Sequence, residues 1–259
     1  MDRKVFNCRF TSDWIPEWKC PTCGKDFLDI KEGSFIKEES FNSRKSSHGL
    51  GYYYNPYEDD YIYTCLLICR NKQCREIVAS TGYGEFSKYD DMYYSEESGE
   101  WESEEYWDNF FQPQYFQPHL KIIQIPTGCP ELVEKSLNES FKLFFSSPSS
   151  AANNVRIALE ELLTALNVNR FILAKGKRRS ISLHQRIENL PAKYSDFKEM
   201  ILAIKWLGNA GSHSHHEITT DDVLNAYELL EHVLNEIYQS KTKRLVAITK
   251  KINKNKGPR

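Results

Sequence analysis

The sequence contains no uninterrupted apolar run approaching about 18 residues, so no membrane-spanning helix is expected. The opening residues, Met1-Asp2-Arg3-Lys4-Val5-Phe6-Asn7-Cys8, lack the apolar stretch of a secretory signal. A cytoplasmic protein, whose thiols stay reduced, is therefore expected. Seven cysteines are an odd number, which argues against a complete disulfide framework and for metal ligands or free thiols. Neither sign of charge dominates, the net being −2. No internal repeat at solenoid periods is visible.

What is present is a globular composition. The 259 residues are 40% hydrophobic and 27% charged, and a chain of this length is enough for one or two packed cores. The small net charge hides two different halves. Residues 1–126 hold 14 basic and 22 acidic side chains, residues 127–259 hold 20 and 14. That asymmetry predicts three parts: a β-rich domain over 1–126, a helical bundle over 127–240 and a basic tail over 241–259. The fold class expected is therefore α+β.

Three strands are predicted in the first half, at Tyr61–Ile68, Glu76–Thr81 and Leu120–Ile125, from β-branched, aromatic and alternating residues. The stretches between Phe41 and Asp60 and from Glu85 to Asp108 read as loop insertions. The second carries ten carboxylates against Lys88 alone, interleaved with Tyr93, Tyr94, Trp101, Tyr106 and Trp107. Those aromatics leave open a partner-docking role or a mimic of nucleic-acid charge. Beyond Pro126-Thr127-Gly128-Cys129-Pro130 the apolar period becomes helical. Val155, Leu159, Leu162, Leu163 and Leu166 form one stripe, with Ser149 or Ser150 as its cap. Further helices are predicted at Ser182–Leu190 and Ser195–Leu207, and a long one opens at Thr219, where an acid three residues on suggests a capping box. Lys175, Lys177, Arg178 and Arg179 make a basic loop suited to nucleic-acid phosphates. The tail from Lys241 to Arg259 has eight Lys/Arg and no carboxylate, which suits phosphate contacts or a soluble terminus.

The sharpest local motif is Trp18-Lys19-Cys20-Pro21-Thr22-Cys23-Gly24. A Cys-x2-Cys knuckle followed by Gly lets two thiolates converge on one ion. Cys69 and Cys74 are the second pair expected, with Cys65 as the substitute ligand. Four sulfurs in a tetrahedral set favour Zn²⁺, and a filled shell makes the ion structural. A thioredoxin-like redox pair would need a βαβ context that is missing.

Ala203-Ile204-Lys205-Trp206-Leu207-Gly208-Asn209-Ala210-Gly211-Ser212-His213 is the other candidate site, followed by His215 and His216. This run, the Trp-x-Cys-Pro-x-Cys-Gly opening, the later cysteine pair and the helical second half resemble the domain-of-unknown-function 4145 family. The resemblance spans Trp18–Cys74 and Pro126–Tyr238. It implies a zinc-ribbon-like domain followed by an all-α HEPN-like bundle, a homodimer, and an association with bacterial anti-phage defence and restriction–modification. Active HEPN ribonucleases use an Arg followed by about four to six residues and then a His. Here His213 takes the His position and Asn209 the neighbouring Asn, but Gly208 stands where the Arg is expected, with Lys205 one turn upstream.

Two functions follow. The first is a binding module that engages RNA, DNA or a defence-system protein, with zinc as scaffold. The alternative is a metal-independent endoribonuclease that uses His213 with Asn209 and Lys205.

Overall fold

The computed structural model describes residues 2–49, 59–94, 99–213, 217–239 and 241–257. The chain is α+β and divides into two compact units, Asp2–Leu120 and Lys121–Arg259.

The first unit is built on an antiparallel sheet. After a short helix α1 (Lys4–Asn7), its strands are β1 (Leu28–Ile30), β2 (Ile36–Glu39), β3 (Asp60–Cys69), β4 (Ile77–Tyr94) and β5 (Trp101–Gln117). Both β1 and β2 pair one edge of β3, β4 pairs the other, and β5 closes the row. Helix α2 (Phe41–Gly49) lies in the stretch read as a loop, and 50–58 fall outside the described residues. The alternation of β3 sends Tyr63, Cys65, Leu67 and Cys69 inward. There Phe10 meets Trp18, Tyr63 and Phe111 edge-on or tilted at 5.2–5.8 Å, an arrangement favoured by ring quadrupoles. The polar ends of these rings are satisfied: the Trp18 indole N–H donates to the Val5 carbonyl at 2.7 Å, and the Tyr63 hydroxyl lies 2.9 Å from Ser80 Oγ.

Two expectations fail here. The acidic segment Glu85–Asp108 is no loop, because β4 and β5 stay paired out to Tyr94 and Trp101. Cross-strand rings hold that ribbon, with Phe86 stacked on Trp107 at 5.7 Å and Tyr89 on Tyr106 at 5.5 Å. The strand predicted at Leu120–Ile125 does not form. Its adjacent Ile122 and Ile123 are both buried, which no period-2 strand with one wet face allows, and the Gln124 N–H donates to Glu231 instead of to a strand.

The second unit contains α3 (Glu131–Leu143), α4 (Pro148–Ala165), a hairpin of β6 (Phe171–Ala174) and β7 (Lys177–Ser180), α5 (Leu183–Glu188), a 3₁₀ turn at Ala192–Phe197, α6 (Lys198–His213), α7 (Thr220–Tyr238) and α8 (Lys241–Asn255). The core is aliphatic with one aromatic group, in which Tyr227 meets Phe141 and Phe144 at 5.3 and 5.8 Å. Ser140 ties three elements together: its hydroxyl donates to the Ala151 carbonyl and lies 2.7 Å from the Tyr227 hydroxyl. The cap of α4 is Ser147, with Pro148 in the first turn, rather than Ser149 or Ser150. At α7 the capping box forms as expected, Thr219 and Asp222 each accepting the other's backbone N–H. The basic stretch read as a loop is the β6–β7 hairpin, and most of the run read as a tail is α8. No described helix is long and apolar enough to cross a membrane.

Candidate metal centre

Two turns carry the four sulfurs. The first lies between residues 18 and 28, where Leu28 N–H donates to Trp18 O at 3.0 Å and Cys20 N–H to Asp26 O at 2.9 Å. The second joins β3 to β4, where Cys69 N–H donates to Glu76 O at 2.9 Å. Because β1 pairs β3 with Leu28 opposite Cys69, the two turns are laid side by side. Each turn needs a left-handed residue directly after its second cysteine: Gly24 at φ +60° in one, Arg75 at φ +52° in the other. Glycine reaches that conformation without strain, so the first turn was recognisable and the second was not.

The result is a cluster. The Sγ atoms of Cys20, Cys23, Cys69 and Cys74 all lie within 4.8 Å of one another. Cys20 is 3.8 Å from Cys74, and Cys23 is 3.7 Å from Cys69. These separations are far above the roughly 2.05 Å of a disulfide. They match the edges, about 3.8 Å, of a tetrahedron whose metal–sulfur bonds are about 2.3 Å. The cluster is thus compatible with one four-coordinate ion. Cys65, the substitute expected, is not in it. It is buried in the sheet, and burial pushes its thiol up to about 12.

Peptide N–H groups favour thiolate here and burial opposes them, so Cys23 is lowered while Cys69 and Cys74 are raised. A peptide N–H from Lys25 holds the Cys23 thiol down to about 7, against the opposing effect of desolvation. Asn71 and Glu76 present N–H groups to Cys69 and Cys74 in the same i+2 relation. Burial dominates at Cys69 and pushes it up to about 12 in the absence of a cation. Thr22 of the first turn donates to Glu76 beside the second at 2.5 Å, a further clamp between the halves. Those peptide donors leave no trace in composition and were not foreseen.

The other candidate residues lie in the second unit. In the β6–β7 hairpin, Lys175 and Gly176 form the tip at φ +51° and +71°, the geometry of a tight two-residue turn. Lys175, Lys177, Arg178 and Arg179 are all exposed, and the Arg178 guanidinium lies 3.7 Å over the Phe171 ring. Phe171, Ile172 and Leu173 of the facing strand are exposed too. The cations are evident from sequence, whereas the exposure of this apolar strand is not.

Lys205, Asn209 and His213 fall on one helix, α6. Lys205 is buried, with Nζ 3.4 Å over the ring of Trp206, and Asn209 is half-buried. The side chain of His213, like all of His215 and His216, lies outside the described residues. Gly208 has a packing reason. A Cβ at this position would stand 2.6 Å from Arg156 Cβ and 3.1 Å from the Ala152 carbonyl oxygen, both on α4. Helix α6 presses on α4 at Gly208, the position where the sequence resemblance leads one to expect an Arg.

Residues 138–255 match the family model described as Domain of unknown function (DUF4145). The DUF4145 match runs from within α3 to the end of α8. Residues 8–116, with all four clustered cysteines, match a second model, Domain of unknown function (DUF8608). The resemblance drawn from sequence carried the first family back to Trp18; the cysteine-bearing part instead matches the second model. No curated protein and no solved structure matches the chain.

Proposed function

We propose that the protein is a non-catalytic nucleic-acid-binding module whose first unit is held by a structural Zn²⁺. The observation that carries the reading is the β6–β7 hairpin: four exposed cations on a narrow ribbon, with exposed Phe171, Ile172 and Leu173 on the facing strand. A two-stranded ribbon fits a nucleic-acid groove, cations neutralise phosphates, and an aromatic or apolar strand adds contact with bases. Zinc is the ion that four sulfurs at tetrahedral spacing favour, and four thiolates leave it no open position for substrate. On this reading the first unit is a zinc-ribbon-like scaffold. The second is a HEPN-like bundle that pairs with a second copy and serves a cytoplasmic defence system. The alternative, a metal-independent endoribonuclease using His213, has the motif resemblance as its support.

Titration of labelled RNA and DNA at several salt concentrations tests the reading. If the four hairpin cations each meet a phosphate, log affinity falls against log salt with a slope near −3, from about −0.7 to −0.9 per phosphate. Replacing Lys175, Lys177, Arg178 and Arg179 with Ala flattens that slope and weakens all sequences alike. Affinity that ignores both salt and these substitutions refutes the module. Cleavage of RNA in EDTA that is lost in His213→Ala establishes the alternative.

A further inference from the structure

The β6–β7 hairpin is an arm with a fixed root and a free end. At the root Val168 and Ile181 are buried, and the Ile181 N–H donates to the Arg170 carbonyl at 3.0 Å. Beyond it Phe171, Ile172, Leu173 and every residue from Lys175 to Ser180 are exposed. Four residues per strand at about 3.3 Å each give an arm about 13 Å long. From Phe171 to Ser180 it carries four cations and no carboxylate.

Register sorts the side chains of this arm. Leu173 stands opposite Arg178 and Phe171 opposite Ser180 on one face, whereas Ile172, Arg179 and Lys177 share the other. On the first face the Arg178 guanidinium lies 3.7 Å over the Phe171 ring. That contact holds the planar fork in place, so less side-chain freedom is lost when the fork binds. It also covers one side of Phe171, the only aromatic residue of the hairpin. Proteins that take single strands stack successive bases on several rings, and this arm has no such series. The grooves of duplexes differ in what they admit. The B-form major groove, about 12 Å wide and about 8.5 Å deep, takes a two-stranded ribbon, and an arm of about 13 Å reaches its floor; the minor groove, about 6 Å wide, does not admit it. The A-form major groove is too deep and narrow for side chains to read.

We propose that the nucleic acid taken by this hairpin is B-form duplex DNA, entered through the major groove with the Phe171–Arg178 face toward the bases. This rests on the nucleic-acid reading above and narrows it to one class. Arg178 presents its two parallel donors to O6 and N7 of a guanine, and Leu173 beside it offers apolar contact to a thymine methyl. Lys175 at the tip, with Lys177 and Arg179 on the outer face, remain for the phosphates that rim the groove.

Competition binding with the full chain tests it, using a mixed-sequence DNA duplex, the RNA duplex of the same sequence and each separated strand at one salt concentration. The DNA duplex should bind about tenfold or more tighter than any of the others, since it alone admits the ribbon. Replacing its guanines with 7-deazaguanine, which deletes the N7 acceptor on the major-groove edge, should weaken binding about fivefold or more. Arg178→Lys keeps the charge and loses the fork, so its affinity should be the same for both duplexes. RNA or single strands that bind as tightly as the DNA duplex, still through the four hairpin cations, overturn this inference and leave the binding module standing. So does a parent protein that binds the 7-deazaguanine duplex undiminished, or an Arg178→Lys protein that still senses the replacement. Affinity indifferent to all four hairpin cations removes both readings.

Discussion

Substituting Gly208 with Ala tests whether close approach of α6 to α4 is what excludes a side chain there. The added methyl would sit 2.6 Å from Arg156 Cβ, 3.3 Å from Arg156 Cγ and 3.1 Å from the Ala152 carbonyl oxygen. Carbon atoms in contact prefer at least about 3.5 Å, so α6 and α4 must part by roughly 1 Å. Neither obstacle is the free end of a flexible side chain: one is the first carbon of a side chain fixed to α4, the other is backbone. Two effects oppose each other. Alanine gains up to about 1 kcal/mol over glycine in a helix interior. Overpacking a buried seam costs about 1–3 kcal/mol, and the parted helices also lose contact around Ile204 and Leu159, which are fully buried now. The cost wins by about 1–2 kcal/mol. Calorimetry of the full chain should show the transition of the second unit falling by roughly 2–8 °C, at about 2–4 °C per kcal/mol. Gly208→Arg places a larger side chain at the same close approach and should cost more than Gly208→Ala. A Gly208→Ala protein that melts at or above the parent temperature refutes the packing argument, and Gly208 would then be a plain divergence of the motif.

Three other outcomes are expected. Given an ion shared by the four cysteines, chelation, or Cys23→Ser, should lower the melting temperature of the Asp2–Leu120 unit by roughly 10 °C or more, because that ion would add four bonds between the two turns; acid should do the same, since thiolates that take up protons release metal. Metal analysis that finds under half an equivalent in the parent protein would remove the centre altogether. Arg186 is buried and donates to the Glu160 and Val168 carbonyls and to Thr164 Oγ1 at 2.9–3.2 Å, closing the C-terminal end of α4. Arg186→Met should destabilise the second unit by about 1–2 kcal/mol in urea denaturation, since the Val168 carbonyl stays buried without this donor, while Thr164 is exposed and the Glu160 carbonyl keeps the Thr164 hydroxyl; an unchanged midpoint would mean that water replaces the guanidinium. Burial raises the Tyr227 phenol well above its ordinary value, with the Ser140 hydrogen bond opposing. The unfolded chain therefore loses this proton near pH 10 while the folded one keeps it, and the stability it contributes is present below pH 10 and lost as pH rises beyond. That slope is about 1.4 kcal/mol per pH unit, and it should flatten in Tyr227→Phe when unfolding is followed from pH 9 upward.

The sequence by itself determined whatever depends on near neighbours along the chain. The Cys20-x2-Cys23-Gly24 turn is local chemistry, as are the Thr219–Asp222 cap and the apolar stripe of α4. All of these were legible because the residues that make them sit within a turn or two of each other. Only the tertiary structure decided what depends on residues brought from far away. It brought Cys69 and Cys74 to the first cysteine turn through the Leu28–Cys69 register and left Cys65 out. It turned an acidic run, solvated loop by composition, into a ribbon, because ring pairs about 17 and 21 positions apart stack across it. It also gave Gly208 its meaning, since a glycine in a helical pattern is a weak position until α4 is seen against it. Local propensity and capping act over a few residues, whereas register, close approach and ligand convergence are set by which surfaces the folded chain buries together.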